Sequence, residues 1–437
     1  MLAPLAATAE VLSGRRPVFY GWWLLAASVA AMALGSGVSF WAFGLYIEPL
    51  ESQFGWSRAE VSLGFSAALL VSGVSGPLIG RWVDVRGPRS AILVGATLTA
   101  LSYLLLATTS TLWEWYVYSS INAVLRQLMF FIPFMALISR WFDRRRGIAT
   151  SILGTGFSLG GFVVVPFVRL AIDVLGWRQS FLVSGVAIAL VFLPVGLFVV
   201  RNSPAEVGLL ADGQSHTDAA AAPPPEVGLT VREAMRSPVF WVLACGFMSF
   251  FFGMFGWLVH QVPFYESVGV SRGTAALIVS LSAGASIVTR LIAGLLADRA
   301  ARFEVVVMGL AVVLIAAMIT LSISTSPAAI VLFVGLWIVG TAGGPMMEAL
   351  VLTRAFGVTH FATILGAVVV VETVGQITSP TLTGAIYDAT GSYDLALLVF
   401  IGTFSLALAL FGLSLRLPKP IETRRRLALE QEAEAAG

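Results

Sequence analysis

GRWVDVRGPR, residues 80–89, and GLLADRAAR, residues 294–302, are two versions of one stretch: a glycine, an aspartate four residues later, then arginine. Gly80 aligns with Gly294 and Asp84 with Asp298, an offset of 214 positions. The same offset pairs Pro49 with Pro263, Gly55 with Gly269, Ser57 with Ser271, Arg58 with Arg272, Ser72 with Ser286, Arg140 with Arg354, Gly161 with Gly375 and Pro166 with Pro380. These matches fall on turn residues, helix-end charges and helix breakers, where chance identity in an apolar chain is least expected. The sequence therefore reads as a parallel internal repeat of two halves, a pattern found in transporters, with a binding site expected between them near mid-membrane.

Composition fixes the solvent of each half. Apolar residues make up 58% and charged residues 11% of 437, where soluble domains carry about 25% charged residues. A span needs about 20 apolar residues, and such runs recur at 20–46, 58–82, 90–108, 114–139, 147–172, 180–200, 239–262, 273–297, 304–324, 328–353, 361–386 and 394–415. The expected architecture is all-α: twelve transmembrane helices in two pseudo-symmetric six-helix bundles, 1–200 and 238–415, joined by a linker, 201–237, and followed by a tail, 416–437. The runs are too long and continuous for barrel strands. Segment 1–16 lacks a basic start before its apolar stretch and does not read as a cleaved signal peptide. The single cysteine, Cys245, leaves no internal disulfide.

Basic residues gather at one side: Arg15 and Arg16, Arg81 to Arg89, Arg140 to Arg146, the linker, Arg299, Arg302, Arg354 and the tail. That bias places both termini and the linker in the cytoplasm, and Lys419 standing alone against 25 arginines hints at a GC-rich bacterial source. A bacterial inner membrane is the expected location. Within the linker, AAAAPPPE at 219–226 reads as extended, and Thr230 to Arg236 as a short interfacial helix. A net charge of +2 with dispersed arginines argues against a nucleic-acid partner. No phosphate loop, metal-spaced His/Cys set or nucleophile–base pair is present, so neither enzyme chemistry, ATP drive nor a cofactor is expected.

GRWVDVRGPR resembles the loop motif of the major facilitator superfamily, and GWRQSF at 176–181 is a further cue. FGWSRAEVS at 54–62, WFDRRRGIA at 141–149 and RNSPAEVGLLADG at 201–213 resemble more narrowly its monocarboxylate transporter and oxalate/formate exchanger branch. The resemblance spans the whole chain. It implies alternating access, with helices 3, 6, 9 and 12 at the periphery. It also supports a gate at the cytoplasmic ends, in which Asp84 and Asp298 pair with Arg140 and Arg354, assisted by Gly80 and Arg89. The plainer reading makes these charges solvated topology markers, worth under ~1 kcal/mol each.

Four charges lie deep in the apolar runs, away from their ends: Arg126, Arg290, Glu348 and Glu372. Each costs at least ~2.5 kcal/mol at a bilayer centre, so each is expected to face water, a partner or a ligand. Counted at ~1.5 Å per residue from Arg140, Asp298, Arg354 and His360, Arg126 lies ~21 Å deep, Arg290 ~12 Å, Glu348 ~9 Å and Glu372 ~18 Å. A guanidinium keeps its proton and grips a carboxylate with two parallel bonds. By resemblance, Arg290 matches the helix 8 arginine that binds substrate carboxylate in the monocarboxylate branch. Arg290, Arg126, Asn122 and Ser286 thus form the expected substrate set, for a small carboxylate of the lactate or pyruvate type. Two arginines also leave room for a dicarboxylate or an anion exchanger. A membrane sensor with a frozen transporter fold is the reading from another class.

The sequence departs from both branch patterns. Ser286 stands where the monocarboxylate pattern has an aspartate, helix 1 has no lysine, and Glu372 lies where the oxalate exchanger has a second basic residue. Glu372 and Glu348 are the remaining candidates to carry a coupled proton, with a permanent ion pair to an arginine as the alternative. Asn122 either meets substrate or bonds across helices. Trp41, Phe43 and Tyr46 read as interface aromatics, His260 as a solvated histidine, and the GTGFSLGG glycines as packing sites.

Overall fold

The computed structural model describes residues 19–213, 228–300 and 302–424. The leading segment 1–16, AAAAPPPE and the tail beyond Arg424 lie outside the described residues.

Away from water each backbone amide needs an internal partner, and helices provide it. The first half contains α1 (Tyr20–Trp41), α2 (Arg58–Arg86), α3 (Pro88–Thr108), α4 (Leu112–Trp141), α5 (Arg146–Leu175) and α6 (Trp177–Val199). The second contains α7 (Pro238–Ser267), α8 (Arg272–Arg299), α9 (Phe303–Ile323), α10, α11 (Phe361–Thr390) and α12 (Asp394–Ser414). Among the described residues, eleven are long and apolar enough to cross a membrane. The twelfth, α10, comes in two pieces, Pro327–Gly340 and Gly344–Phe356.

Local sequence sets the helix starts. Ser57 and Glu60 form the expected capping box at α2, and Thr111 with Glu114 forms another at α4. A third, Thr230 with Glu233, opens the short helix Val231–Arg236 before α7. Hydrogen bonds from Thr230, with Arg424 beside it, hold the Glu233 carboxyl below its ordinary value. Gly87 and Gly176, at φ of +82° and +87°, make the tight turns α2–α3 and α5–α6 that a side chain would strain.

Five spans are irregular, α10 by its break and α6 by a π-turn at its end, Val195–Val199. α1 carries a π-turn at Gly37–Trp41 and α5 another at Gly160–Val164, and α4 is kinked at Phe130. The kink in α4 and the restart of α10 at Gly344 occupy equivalent places in the repeat. Interrupted helices at matching positions of two halves point to a binding region.

The halves meet along two seams, α2 against α11 and α5 against α8. One end of the bundle, here the linker face, carries Asp84, Arg140, Asp298, Arg354 and the segment after α6. That segment is tied down where Asp212 Oδ2 accepts from the Asp143 amide at 3.0 Å. On the same face Lys419, past α12, bonds Glu304 at the start of α9 at 2.5 Å.

Candidate functional site

Glycines decide how closely the seams approach at the linker face. A methyl on Gly80 would sit 2.1 Å from the Ala362 carbonyl oxygen, and one on Gly76 would sit 2.7 Å from that of Gly366. In the other seam Gly294 lies against Ser151 and the Gly147 backbone. Farther up, Gly73 faces Thr373 and Gly154 faces Met346 and Arg290.

The aspartates of the repeated motif lock this approach. Asp84, at the end of α2, accepts from the amides of Ala362 and Thr363 at 3.2 and 2.8 Å, and from the Thr363 hydroxyl at 2.6 Å. Asp298, at the end of α8, accepts from the amides of Gly147 and Ile148 at 2.6 and 3.1 Å. Each carboxylate therefore caps the first turn of a helix in the opposite half, where free amides and the helix dipole favour negative charge. This corrects the expected ion pairs with Arg140 and Arg354. The carboxylates' direct partners are backbone amides and the Thr363 hydroxyl, while Arg140 stands near enough to Asp84 for their charges to attract, and the Arg354 guanidinium lies 5.8 Å from the Phe303 ring centre. Arg89 is also corrected: it donates to the carbonyls of Gly196 and Leu197 at 3.0 and 2.8 Å, fastening α3 to α6 inside its own half.

Removing one cap gives a direct expectation. Charge-assisted bonds contribute about 1.5–3 kcal/mol each. Asp298→Ala should therefore shift the protein toward a form open at the linker face. A Ser151→Cys reporter in a Cys245→Ala background, sealed in the seam here, should then react faster with a thiol reagent. An unchanged rate contradicts the gate.

Arg290 sits where α8 crosses α5. Its Nη1 donates to the Gly154 carbonyl at 2.8 Å and to Ser158 Oγ at 3.0 Å, both in the first half. Its Nε is buried without a partner. Neither Glu348 nor Glu372 forms an ion pair with an arginine among the described residues. The two carboxyls, nearly fully buried, instead meet side chain to side chain, each with one oxygen unpartnered. Depth counting set these glutamates apart because it took Arg354 and His360 to lie at one level and both helices to stand upright. Ser286 bonds the Ala283 carbonyl of its own helix at 2.7 Å, so its hydroxyl is already occupied.

Arg126 lies elsewhere, in a cavity of about 70 Å³ within the first half. Asn122 lines the same cavity and donates to Ser102 Oγ at 2.9 Å, the cross-helix bond rather than a free ligand group. Phe43 and Tyr46 are cavity walls, not interface aromatics, and Tyr46 bonds Ser180 at 3.0 Å. Trp41 bonds the Phe157 carbonyl at 2.9 Å, also inside the protein. The π-turn in α1, which alters helical phase, was not visible in an apolar run. His260 is likewise not simply solvated: its Nε2 donates to the Pro380 carbonyl at 2.9 Å, and its Nδ1 lies 3.3 Å from the Tyr393 hydroxyl.

Two seams closed at one end by mirrored aspartate caps join two pseudo-repeated halves, with Arg290 in one of the seams. The Major Facilitator Superfamily model matches residues 25–354 and, again, 261–435. The chain belongs to the Major Facilitator Superfamily. It is an integral membrane transporter of that superfamily, not an enzyme. It is 24% identical over 265 residues to the oxalate:formate antiporter of Oxalobacter formigenes, covering 60% of this chain and 59% of the antiporter. It is 26% identical over 406 residues to monocarboxylate transporter 11 of Homo sapiens, covering 87% and 80%. The fold matches the superfamily proton:xylose symporter XylE with a TM-score of 0.69 at 16% identity, over 90% of this chain and 94% of that one.

Proposed function

We propose that this superfamily member moves a small organic anion, a monocarboxylate of the lactate or pyruvate type, by alternating access with proton symport. The observation that carries the reading is Arg290: a permanent cation in the seam between halves, held by two neutral oxygens and with an unpartnered Nε–H. A carboxylate is a far stronger acceptor for a guanidinium than a carbonyl and a hydroxyl. Its arrival would draw Arg290 off α5 and loosen the α5–α8 seam. With the linker face read as cytoplasmic by the positive-inside rule, the seams are closed on the inward side.

Glu372 and Glu348 supply the proton in this scheme. Adjacent carboxylates out of water repel strongly unless one is protonated. Met346, two residues before Glu348, packs at Gly154, whose carbonyl Arg290 holds. In this scheme the α10 piece that carries both Met346 and Glu348 links an anion at Arg290 to the proton on the pair.

Uptake of labelled pyruvate into proteoliposomes should rise several-fold when the outside is made acidic. Glu372→Gln should remove that dependence while leaving pyruvate exchange intact. Uptake indifferent to the proton gradient in the parent, with rapid exchange for internal anion, makes the protein an exchanger instead.

A further inference from the structure

We propose that Arg126 builds a second anion site, separate from that of Arg290 and sized for a carboxylate of two or three carbons, so that one chain holds two anions. The proposal rests on the reading of Arg290 as a carboxylate site and adds a second place for the same class of ligand.

The cavity around Arg126 is formed by α1, α2, α3, α4 and α6, with lining residues drawn from the first half alone. Arg126 has no hydrogen-bond or ion-pair partner among the described residues, and the Ser119 hydroxyl beside it is buried and unpartnered. Phe40, Phe65 and Tyr103 make much of the remaining wall. An unpaired guanidinium among aromatic rings is costly unless an anion visits it. The cavity is small, about 70 Å³, which favours a carboxylate with a short stem over a long chain.

Aromatic rings also keep this site apart from Arg290. Phe40 lines the Arg126 cavity, and its ring centre lies 5.3 Å from that of Phe157. Trp41 packs on the same Phe157 ring at 5.6 Å and bonds its carbonyl. Ser158, the next residue, is the one Arg290 holds. The lining of the Arg126 cavity takes no residue from α5 or α8, so one dicarboxylate reaches both arginines only by rearranging the walls, whereas two small monoanions need no such change.

Equilibrium dialysis of the purified full chain with labelled pyruvate tests this by counting. Two pyruvates per chain are expected in the parent and one in each of Arg126→Gln and Arg290→Gln. Ala68→Leu fills the cavity and leaves both arginines, so it should also fall to one, while Arg126→Lys should keep two. Thermal melting confirms that each variant is folded. One pyruvate in the parent, lost in both glutamine variants, means that the arginines share a ligand and overturns the second site while the proposed function stands. Binding unchanged by Arg126→Gln and Ala68→Leu overturns it as well. No pyruvate on the folded parent overturns both readings.

Discussion

Arg290→Ala should lower carboxylate uptake in proteoliposomes at least a hundredfold while leaving the protein folded. A buried bidentate contact between guanidinium and carboxylate, lost on one side, leaves a desolvated charge unpaired, and losses of about 3–5 kcal/mol follow when one partner of such a pair is removed. Those energies correspond to factors of over a hundred, since 1.4 kcal/mol is tenfold in an equilibrium. Stability should suffer less, because Arg290 now bonds only a carbonyl and a hydroxyl of α5. Arg290→Lys separates charge from geometry: a lysine keeps the cation but not the planar fork. It should recover only a small part of uptake. Near-parental uptake in Arg290→Ala would place the anion elsewhere.

The second large effect concerns Gly80. Its α-carbon hydrogens face the Ala362 carbonyl so closely that a methyl would stand 2.1 Å from that oxygen. This contact is backbone, which a rotamer change cannot relieve. Gly80→Val should therefore keep α2 and α11 apart at the linker face, pull Asp84 off the amides it caps, and hold the protein open there. Each half retains its own core, so the variant should fold. Transport should drop by more than tenfold, and the Ser151→Cys reporter in a Cys245→Ala background should become reactive without substrate. If Gly80→Val transports normally, the linker-face seam is not a moving part.

Much of this arrangement was legible in the residues. The repeat at 80–89 and 294–302 specified two halves because both copies do the same job, an aspartate at the end of one helix capping a helix of the other half. Its partners were misread because any backbone amide can receive a carboxylate, and a sequence marks only side chains. Arg140 and Arg354 lie at the right end of the bundle, and Arg140 acts on Asp84 through its charge, but neither bonds these carboxylates directly. Interior charge found Arg126, Arg290, Glu348 and Glu372, since each is conspicuous against an apolar background.

What each of those charges touches was not legible. Glu348, in the second piece of α10, meets Glu372 of α11 across two helices, and a count along each helix does not show how the two are staggered. Phe43 and Tyr46 turn inward after the π-turn in α1. Helical phase past such a turn cannot be counted at a steady angle per residue. Arg89 failed as a gate residue for a simpler reason: the π-helical end of α6 leaves carbonyls for it to bind.

A thermal-shift screen of the purified chain against formate, acetate, lactate, pyruvate and oxalate, run beside Arg290→Ala, tests the carboxylate site most directly. At least one acid should raise the melting temperature of the parent in a concentration-dependent way, with a much smaller rise in the variant. Equal rises in both proteins, or none in the parent, would contradict a carboxylate held at Arg290.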